Sequence, residues 1–423
     1  MINPEYRYVV RTVQIAGKEG KAIPATFIVL VDSDDIPHSV TMLQNYLSEG
    51  QTVLNPFTSS ARPAAYFFAK MLNYILIEHY TEFQADSILE ITKEMMQRYF
   101  TDYAEGNDAD GTIRTKATVA RNVNVCAHTM AQLSKKFRNM CVSPDLLLKQ
   151  KRVRSYRGDF EDILVPAFDI RGGTISLPPL RDISTEAFRL LLSLAFQYAP
   201  DIAFGICMEV FAGLRCSEAL NTWQDSSIYG PCITESTDGC GRILPVVNLT
   251  CERVLRSDRV KIGQIKKERY QKVYPDFADA FRTAYAFHKT FLAGKTFEKS
   301  YAPMFVNSKG LAMTYRDFLK RFNILVTNHF VPELKKSSNV VLNEYGKIVE
   351  ARGLSTHIGR HIFTLQLVLR GLTPEQLMYW RGDSSIESSM NYWVNKGELN
   401  RMVRETGANF LEGIIEFGGK NHE

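Results

Sequence analysis

Two short stretches near the C-terminus contain residue types that can bind and attack an anionic centre. In "THIGRH", residues 356–361, His357 and Arg360 are three residues apart. Residues at this spacing lie on one face of a helix, so both side chains can converge on one ligand. In "RGDSSIESSMNYW", residues 381–393, Tyr392 follows a Gly-Asp-Ser-Ser turn. A lone tyrosine on a helix usually packs in a core or an interface, so its position relative to other motifs decides its meaning.

The pair His357 and His361 raises the possibility of a metal site, because H-x-x-x-H places two imidazoles on one helix face. The stretch lacks the glutamate of a metalloprotease motif and a third ligand nearby. Arg360 stands between the histidines and would repel a cation. We therefore expect no metal and no cofactor.

A third stretch, "VFAGLRCSEALNTWQD", places Arg215 where a loop enters a helix. Packing on one side fixes such an arginine, which leaves its guanidinium free for a bidentate phosphate contact. A purely structural interpretation also fits, since Ser217 and Glu218 are common residues at a helix start.

A fourth stretch, residues 258–275, is basic and has β-compatible flanks, which predicts a β-hairpin around residues 250–275. A lysine in such a turn can enter a nucleic-acid groove as a point charge, or act as a general acid if its pKa is lowered. The alternative is a solvated hairpin that binds phosphate nonspecifically. The basic residues concerned are Lys261, Lys266, Lys267 and Arg269.

The elements that must position these residues are mainly helical, with a small β-hairpin or sheet. Residues 1–37 contain β-branched runs and predict a β-rich arm or cap. Apolar residues at three-four spacing predict a helical domain over 38–147. Charge, glycine and proline predict a basic linker over 148–180. Residues 181–423 then form a second domain with a C-terminal tail.

The composition of the 423 residues is that of a soluble globular protein, with 45% hydrophobic and 23% charged residues. The N-terminus lacks the pattern of a signal peptide and no run is long enough to span a membrane, so we expect a cytoplasmic protein. The seven cysteines form no C-x-x-C pair, which predicts reduced structural thiols. The net charge of +5 is mild, but basic runs gather locally. Outside residues 258–275 they include Lys135, Lys136, Arg152 and Arg154.

Taken together, the motifs resemble the tyrosine recombinase (phage integrase) family over roughly residues 176–400. "AGLRCSEALNTWQD" is similar to the first arginine box and "HIGRH" to the His-x-x-Arg-His box. "RGDSSIESSMNY" is similar to the segment that ends in the nucleophilic tyrosine, and "MFVNSKGLAMTYRDF" to the stretch before the second box. The resemblance implies a tyrosine-recombinase catalytic domain, preceded by a helical core-binding domain that clamps DNA over residues 38–147.

The resemblance assigns a role to each matching residue. Arg215 and Arg360 would bind the non-bridging oxygens of the scissile phosphate, and His357 would handle the proton of the nucleophile. Tyr392 would attack phosphorus and form a 3′-phosphotyrosine. Lys261, or alternatively Lys266 or Lys267, would protonate the leaving 5′-oxygen.

Two supporting residues and one departure complete the comparison. Glu218 matches an acidic residue that supports the first arginine, and His361 completes its box. Asp383 stands where the family usually has histidine or tryptophan, nine residues before the nucleophile. Three explanations are open: Asp383 turns away and orients His357 or an arginine; Trp380 or His361 donates in its place; or the enzyme is slow.

The resemblance implies a site-specific DNA recombinase or integrase, carried by a mobile genetic element and independent of metal and ATP. Its partners would be double-stranded DNA at specific sites, three further copies in a tetramer and accessory DNA-bending proteins, without a membrane. In a bacterium it would associate with the nucleoid when bound to DNA. The alternatives are a catalytically impaired DNA-binding protein of the same fold and a relaxing enzyme of the type IB topoisomerase kind. The predicted DNA contacts are Lys135, Lys136, Arg152, Arg154, Lys266, Lys267 and Arg269.

Overall fold

The chain forms two compact units, which divide between residues 176 and 177. Both are mainly α-helical with small antiparallel sheets, which confirms the predicted fold class. In the described part of the chain, no helix is long and apolar enough to cross a lipid bilayer. The computed structural model describes residues 6–16, 22–58, 60–154, 159–175 and 179–383.

The first unit combines an antiparallel sheet, a helical core and a hairpin. Its strands are β1 (Arg7–Ala16), β2 (Ala22–Val31), β3 (Pro37–Val40), β4 (Ser48–Glu49), β5 (Thr52–Val53), β6 (Leu148–Arg154) and β7 (Phe160–Pro166). Its α-helices are α1 (Ala61–Asn73), α2 (Tyr80–Phe83), α3 (Lys93–Glu105), α4 (Lys116–Lys136) and α5 (Pro144–Leu147).

The predicted β-rich arm belongs to this unit. Strands β1, β2 and β3 form one antiparallel sheet, and Ile28 of β2 is fully buried in the core with α1, α3 and α4. The backbone of Tyr8 exchanges two hydrogen bonds with the side chain of Asn73 on α1. Strands β1 and β2 are therefore packed onto the helices, because β2 is an almost continuous apolar run that needs cover.

The prediction of a linker over residues 148–180 is corrected by the hairpin of β6 and β7. The two strands pair antiparallel from Leu148 with Pro166 to Arg154 with Phe160. The basic side chains of β6 are exposed, whereas its partner contributes the half-buried run Ile163–Pro166. The charged strand resembled a solvated connection because its apolar partner comes later in the sequence.

The second unit is a helical domain with one three-stranded sheet. Its strands are β8 (Ile233–Thr237), β9 (Ile243–Leu249) and β10 (Arg269–Lys272). The sheet order is β10-β9-β8, with antiparallel neighbours. Its α-helices are α6 (Thr185–Tyr198), α7 (Pro200–Ala212), α8 (Cys216–Leu220), α9 (Ala278–Ala293), α10 (Tyr315–Leu325), α11 (Val331–Lys336), α12 (Val340–Arg352), α13 (Ile358–Leu369) and α14 (Pro374–Arg381).

Helix α7 is the central element of this unit. Every residue from Ile202 to Ala212 is buried, since the segment is apolar on all sides except at Glu209. Pro200 begins the helix, where its missing N–H has no intrahelical role. Gly213 ends it with φ +65°, a conformation that glycine adopts without strain. A Cβ at this position would lie 2.5 Å from Phe363 of α13, so glycine also permits the close approach of α13.

Candidate active site

A cleft of about 730 Å³ in the second unit is lined by seven of the fifteen predicted site residues. Its described lining comes from the start of α8, the loop between β9 and β10, the start of α13 and the end of α14. A larger cavity of about 1180 Å³ lies elsewhere in the unit, and its described lining includes none of the predicted site residues. The residues that line the cleft are Arg181, Arg215, Ser217, Lys261, Gly263, Gln264, Lys266, Tyr315, His357, Arg360, His361, Arg381 and Asp383.

Arg215 is fixed at the corner between α7 and α8. It is the N-cap residue of α8, and its backbone N–H donates to Oε2 of Glu218 at 3.0 Å. Its guanidinium donates from Nη1 to Oε1 of the same carboxylate, also at 3.0 Å. One buried glutamate therefore holds both the backbone and the side chain of Arg215.

Glu218 is fully buried and is shared with Arg269 of β10. Arg269 donates from Nη1 and Nη2 to the two carboxylate oxygens at 3.3 and 3.0 Å. Burial alone would raise the pKa of Glu218, but the hydrogen bonds and charges of Arg269 and Arg215 outweigh it and lower the pKa. The carboxylate is therefore ionised at neutral pH and compensates both arginines. The Arg269 side chain is 11% exposed, and its role as a DNA contact stays a prediction.

Arg360 lies in the first turn of α13 and is only 5% exposed. Its Nη1 donates to the carbonyl oxygen of Gly213 and, at 2.9 Å, to that of Arg381. Desolvation and the charge of Arg215 lower the pKa of Arg360 to about 9. The arginine still carries its charge at neutral pH, and backbone carbonyls from two other segments fix its orientation.

Asp383 joins the two arginines. Its Oδ1 accepts from Nη2 of Arg215 at 2.8 Å and from Nη2 of Arg360 at 2.6 Å. Its Oδ2 lies 2.9 Å from Nε of Arg381. The carboxylate is 4% exposed and points toward the arginine pair, so of the three explanations the contact with an arginine agrees with the structure and the turning away does not.

The two histidines at the start of α13 have different surroundings. His357 lines the cleft, and its pKa is lowered by desolvation and by the positive charges of Arg360, Arg181 and others. It is therefore a neutral imidazole at pH 7, able to accept a proton. His361 also lines the cleft, but its Nε2 lies 2.7 Å from Oδ1 of Asp182, whose pKa it lowers.

The lysines lie in a long connection rather than in a tight hairpin turn. The antiparallel pair of β9 and β10 agrees with the hairpin predicted around 250–275, but its bounds are corrected, because residues 250–268 join the two strands and contain no strand. Their attachment is tertiary: Ser217 donates to the carbonyl oxygen of Gln264, and a Cβ on Gly263 would lie 2.9 Å from Ser217. The backbone N–H of Tyr315 donates to Ile262. No sequence period encodes such contacts.

This loop brings Lys261 and Lys266 to the cleft, both with exposed side chains. Lys261 lies 3.4 Å from Glu252, and Lys267 donates to the backbone carbonyl of Asp383 at 3.3 Å. Lys261 and Lys266 therefore share the cleft with the arginine pair, whereas Lys267 contacts the backbone that carries Asp383.

The remaining predicted residues lie apart from the cleft or outside the described residues. Lys135 and Lys136 end α4, and Arg152 and Arg154 lie on β6; all four side chains are exposed in the first unit. Trp380, suggested as a hydrogen-bond donor, packs edge-on against Tyr274. Tyr392 and the tail that follows it lie outside the described residues.

Sequence reasoning missed Arg181 and Arg381, which line the cleft, and Glu209 behind it. Arg381 is two residues from Asp383 in a motif already singled out, so its charge was a usable signal. Arg181 is the first residue of the predicted second domain, lies in none of the motifs singled out, and had no such signal. Glu209, buried on the apolar helix α7, faces the backbone of Gly359 and Arg360; burial raises its pKa well above the usual value. Within the described residues, no group of His, Cys, Asp or Glu could hold a metal ion.

No protein-family model matches the sequence, and no curated protein matches it. Among solved structures, the chain is similar to the XerH site-specific recombinase bound to difH substrate, with 14% identity, a TM-score of 0.45 and coverage of 80% of this chain and 78% of that chain. It is similar to the Tn1549 transposon integrase in complex with transposon right end DNA, with 14% identity, a TM-score of 0.44 and coverage of 83% and 95%. It is also similar to a lambda integrase dimer bound to a COC′ core site, with 8% identity, a TM-score of 0.39 and coverage of 78% of this chain and 88% of that chain.

Proposed function

We propose that this protein is a tyrosine site-specific recombinase, which cleaves and rejoins DNA through a 3′-phosphotyrosine intermediate. One observation carries the proposal: Arg215 and Arg360, from two distant motifs, direct Nη2 atoms to the same anionic oxygen in one cleft. His357 and Lys266 line that cleft as well. Two guanidinium groups, a neutral imidazole and an ammonium group around an anion position suit transfer of a phosphoryl group.

The chemistry follows from what each group can do. Arg215 and Arg360 bind the two non-bridging oxygens of a phosphodiester and stabilise the charge that grows on them in the pentacoordinate transition state. The Tyr392 oxygen forms a bond to phosphorus while the bond from phosphorus to the 5′-oxygen breaks. His357 accepts the tyrosine proton, and Lys261 or Lys266 gives a proton to the leaving oxygen. The reverse steps rejoin a strand.

This scheme needs neither a metal nor ATP. The arginines supply the charge stabilisation that a divalent cation supplies in many nucleases. The phosphotyrosine bond preserves the energy of the phosphodiester, so a free 5′-hydroxyl can reverse the reaction. The proposed enzyme acts on double-stranded DNA at specific sites as a tetramer, with DNA-bending proteins as possible accessories, and serves a mobile element.

The first unit is proposed to supply DNA contacts that the cleft does not. The basic side chains of β6 are exposed along one hairpin, and Lys135 and Lys136 extend from the end of α4. Such lysines and arginines bind the phosphate backbone regardless of base sequence and make affinity fall with added salt. Replacing Arg152 and Arg154 by glutamine should therefore weaken DNA binding and reduce its salt dependence.

A second candidate function has one observation in its favour. The carboxylate of Asp383 lies between the two arginines, where a substrate phosphate would bind. If that carboxylate stayed between the arginines when DNA binds, the protein would bind DNA and cleave it poorly. No specific observation favours the type IB topoisomerase kind over either of these.

A nicked suicide substrate tests the proposal. The duplex carries a nick just 3′ of the cleavage site, so that the short 5′-hydroxyl fragment diffuses away and the covalent adduct accumulates. The wild-type protein should form an adduct that denaturing gel electrophoresis detects, and Tyr392→Phe should form none. Tyr379→Phe is the matched control, because Tyr379 is 64% exposed on α14 and outside the cleft lining.

Each outcome has a distinct meaning. An adduct that persists in Tyr392→Phe would show that another residue is the nucleophile. DNA binding without an adduct, on any duplex including the native junctions of the element, would support the binding function instead. Relaxation of supercoiled DNA without exchange between paired sites would indicate the topoisomerase activity.

A further inference from the structure

The anion position between Arg215 and Arg360 already contains an anion from the protein itself. Both Nη2 atoms donate to one oxygen of Asp383, at 2.8 and 2.6 Å. The Nη1 atoms are committed elsewhere, that of Arg215 to Glu218 and that of Arg360 to backbone carbonyls. A phosphate oxygen placed at this same point between the two Nη2 atoms would therefore have to replace the Asp383 oxygen.

A carboxylate is a fair substitute for a phosphodiester at this position. Each carries one negative charge and presents two oxygens to guanidinium donors, and such charge-assisted bonds are the strongest in proteins. The groups differ in shape, because the carboxylate is planar and the phosphate is tetrahedral. Asp383 satisfies both arginines through a single oxygen, whereas a phosphodiester can offer each arginine an oxygen of its own.

The backbone of Asp383 is held apart from its side chain. Its N–H donates to the carbonyl oxygen of Met378 at 3.1 Å, closing the end of α14, and its carbonyl oxygen accepts from Lys267. These bonds do not involve the carboxylate. Rotation about the side-chain torsions can therefore release both arginines while the end of α14 stays in place.

Asp383 also compensates positive charge that is concentrated in the cleft. Arg360 and Arg381 are buried and Arg215 is half-buried, so three guanidinium groups meet where water is scarce. Like charges at this distance repel, and an uncompensated buried charge is strongly destabilising. In the absence of DNA, the carboxylate neutralises part of this charge and keeps the arginines in place.

We propose that Asp383 is an internal competitor for the substrate phosphate: its carboxylate occupies the arginine pair until a phosphodiester displaces it. This inference rests on the proposed function, since it assigns the arginine pair to phosphate. DNA-free protein is thereby stable, and only an anion that satisfies both arginines better than Asp383 enters. The displacement lowers apparent affinity for any phosphate, because only the fraction of molecules with a released carboxylate can bind.

Thermal unfolding with inorganic phosphate as the probe tests the displacement directly. Asp383→Asn removes the charge and keeps the shape, which leaves the arginines without their anion. Phosphate at about fivefold its dissociation constant should raise the melting temperature of this variant by about 2–4 °C, and that of the wild type by less. Potassium chloride at equal ionic strength separates a specific effect from screening.

The matched control is Asp279→Asn, which makes the same change of net charge in the same unit. Asp279 is 88% exposed on α9 and pairs with Arg282 outside the cleft. Its response to phosphate should equal that of the wild type. Equal responses in all three proteins would overturn the proposal.

DNA binding gives a second and independent measurement. Fluorescence anisotropy with a labelled duplex should show that Asp383→Asn binds about tenfold more tightly than wild type, if the carboxylate occupies the arginines nine-tenths of the time. In an Arg215→Gln background, the same substitution should change affinity much less, because the shared position is gone. Weaker binding by Asp383→Asn would show that the carboxylate only positions the arginines.

A folding failure of the asparagine variant is recognised by circular dichroism, and Asp383→Ser then provides the test. Serine also removes the charge, so its phosphate response should exceed that of the wild type, and an equal response would overturn the proposal. Failure of the two proposals is distinguishable. A larger phosphate response of the asparagine variant without a Tyr392-dependent adduct would support the competition by Asp383 and refute the recombinase. A Tyr392-dependent adduct with equal phosphate responses would support the recombinase and refute the competition.

Discussion

The two sets of cations in the cleft are held in opposite ways. Arg215 and Arg360 are fixed by a buried carboxylate, by backbone carbonyls and by the corner between α7 and α8. Lys261 and Lys266 extend from the loop of residues 250–268, with exposed side chains. The loop backbone is attached to Ser217 and Tyr315, but the ammonium groups themselves have few contacts.

This difference matches what each chemical role requires. Stabilising charge on two defined oxygens needs donors that are already in position, because reorganisation during the reaction would cost part of the benefit. A guanidinium has five N–H donors in a rigid plane and can be fixed by several partners at once. Delivering one proton needs reach instead, and an ammonium group on a flexible stem has it. The following experiments test this division of roles.

The largest effect is expected for Arg360→Lys. Lysine keeps the positive charge but cannot donate to Asp383 or a phosphate while it also bonds the carbonyls of Gly213 and Arg381. We expect DNA cleavage to fall by about 10²–10³-fold, as for loss of one preorganised donor. Single-turnover adduct formation measures it.

The control is Arg282→Lys on α9, where the guanidinium makes an exposed pair with Glu235. Its cleavage rate should equal that of the wild type. If Arg360→Lys cleaves as fast as wild type, charge alone is enough and the fixed geometry has no catalytic role.

The loop lysines should differ from the arginines in their dependence on the leaving group. Lys261→Ala or Lys266→Ala should slow cleavage by roughly 10²-fold if that residue is the general acid. With a 5′-bridging phosphorothiolate, a thiolate leaves without protonation, so the defect of the lysine variant should disappear. The defect of Arg360→Lys should remain. Persistence of both defects on the sulfur substrate would assign the lysine to phosphate binding.

Glu218→Gln should have a moderate effect, mainly on stability. Arg215 and Arg269 lose their ionised partner, which should cost about 1–3 kcal/mol in the free energy of unfolding at pH 7. Because the pKa of Glu218 is lowered in the folded protein, its contribution is present above the usual value near 4.5 and is lost as the pH falls through the lowered value. The gap between variant and wild type should therefore narrow in acid, as measured by urea denaturation at pH 7 and below pH 4.

Glu209→Gln makes the matched substitution at a second buried glutamate, on α7. It should not lower the free energy of unfolding at pH 7. The raised pKa of Glu209 means that the folded protein keeps this proton to a higher pH than the unfolded chain does, so wild-type stability falls as the pH rises above the usual value. Glutamine does not titrate, and the variant should be as stable as the wild type, or more stable, at pH 7. A loss equal to that of Glu218→Gln would show that both carboxylates are ionised.

The smallest effect is expected for Asp182→Asn. Asp182 lies 2.7 Å from His361, but its side chain is 84% exposed. Exposed pairs contribute only about 0.2–1 kcal/mol, so we expect a change in cleavage rate of less than about fivefold. A loss as large as that of Arg360→Lys, in the same single-turnover assay, would place His361 among the residues that contact the phosphate.

The sequence predicted the local features well, because they depend on neighbours in the chain. The helix of "HIGRH", a helix start near Ser217 and the β-rich N-terminus follow from periodicity, local residue types and composition, although the N-cap of α8 is Arg215 and not the serine. The sequence pattern did not predict the strand β6 or the position of the loop of residues 250–268. An exposed basic strand and an exposed basic linker have the same pattern, and the loop is held by Ser217 and Tyr315, which are distant in sequence.

The sequence by itself determined which residue types were available for the site: two arginines, a histidine, several lysines and an aspartate where a donor was expected. Only the tertiary structure decided that Asp383 faces Arg215 and Arg360, since this requires α7, α13 and the end of α14 to meet. It also decided the direction of each pKa shift. The hydrogen bonds and charges of two arginines lower the pKa of Glu218, whereas burial raises that of Glu209. Charge and protonation depend on surroundings assembled from distant segments, which no local pattern specifies.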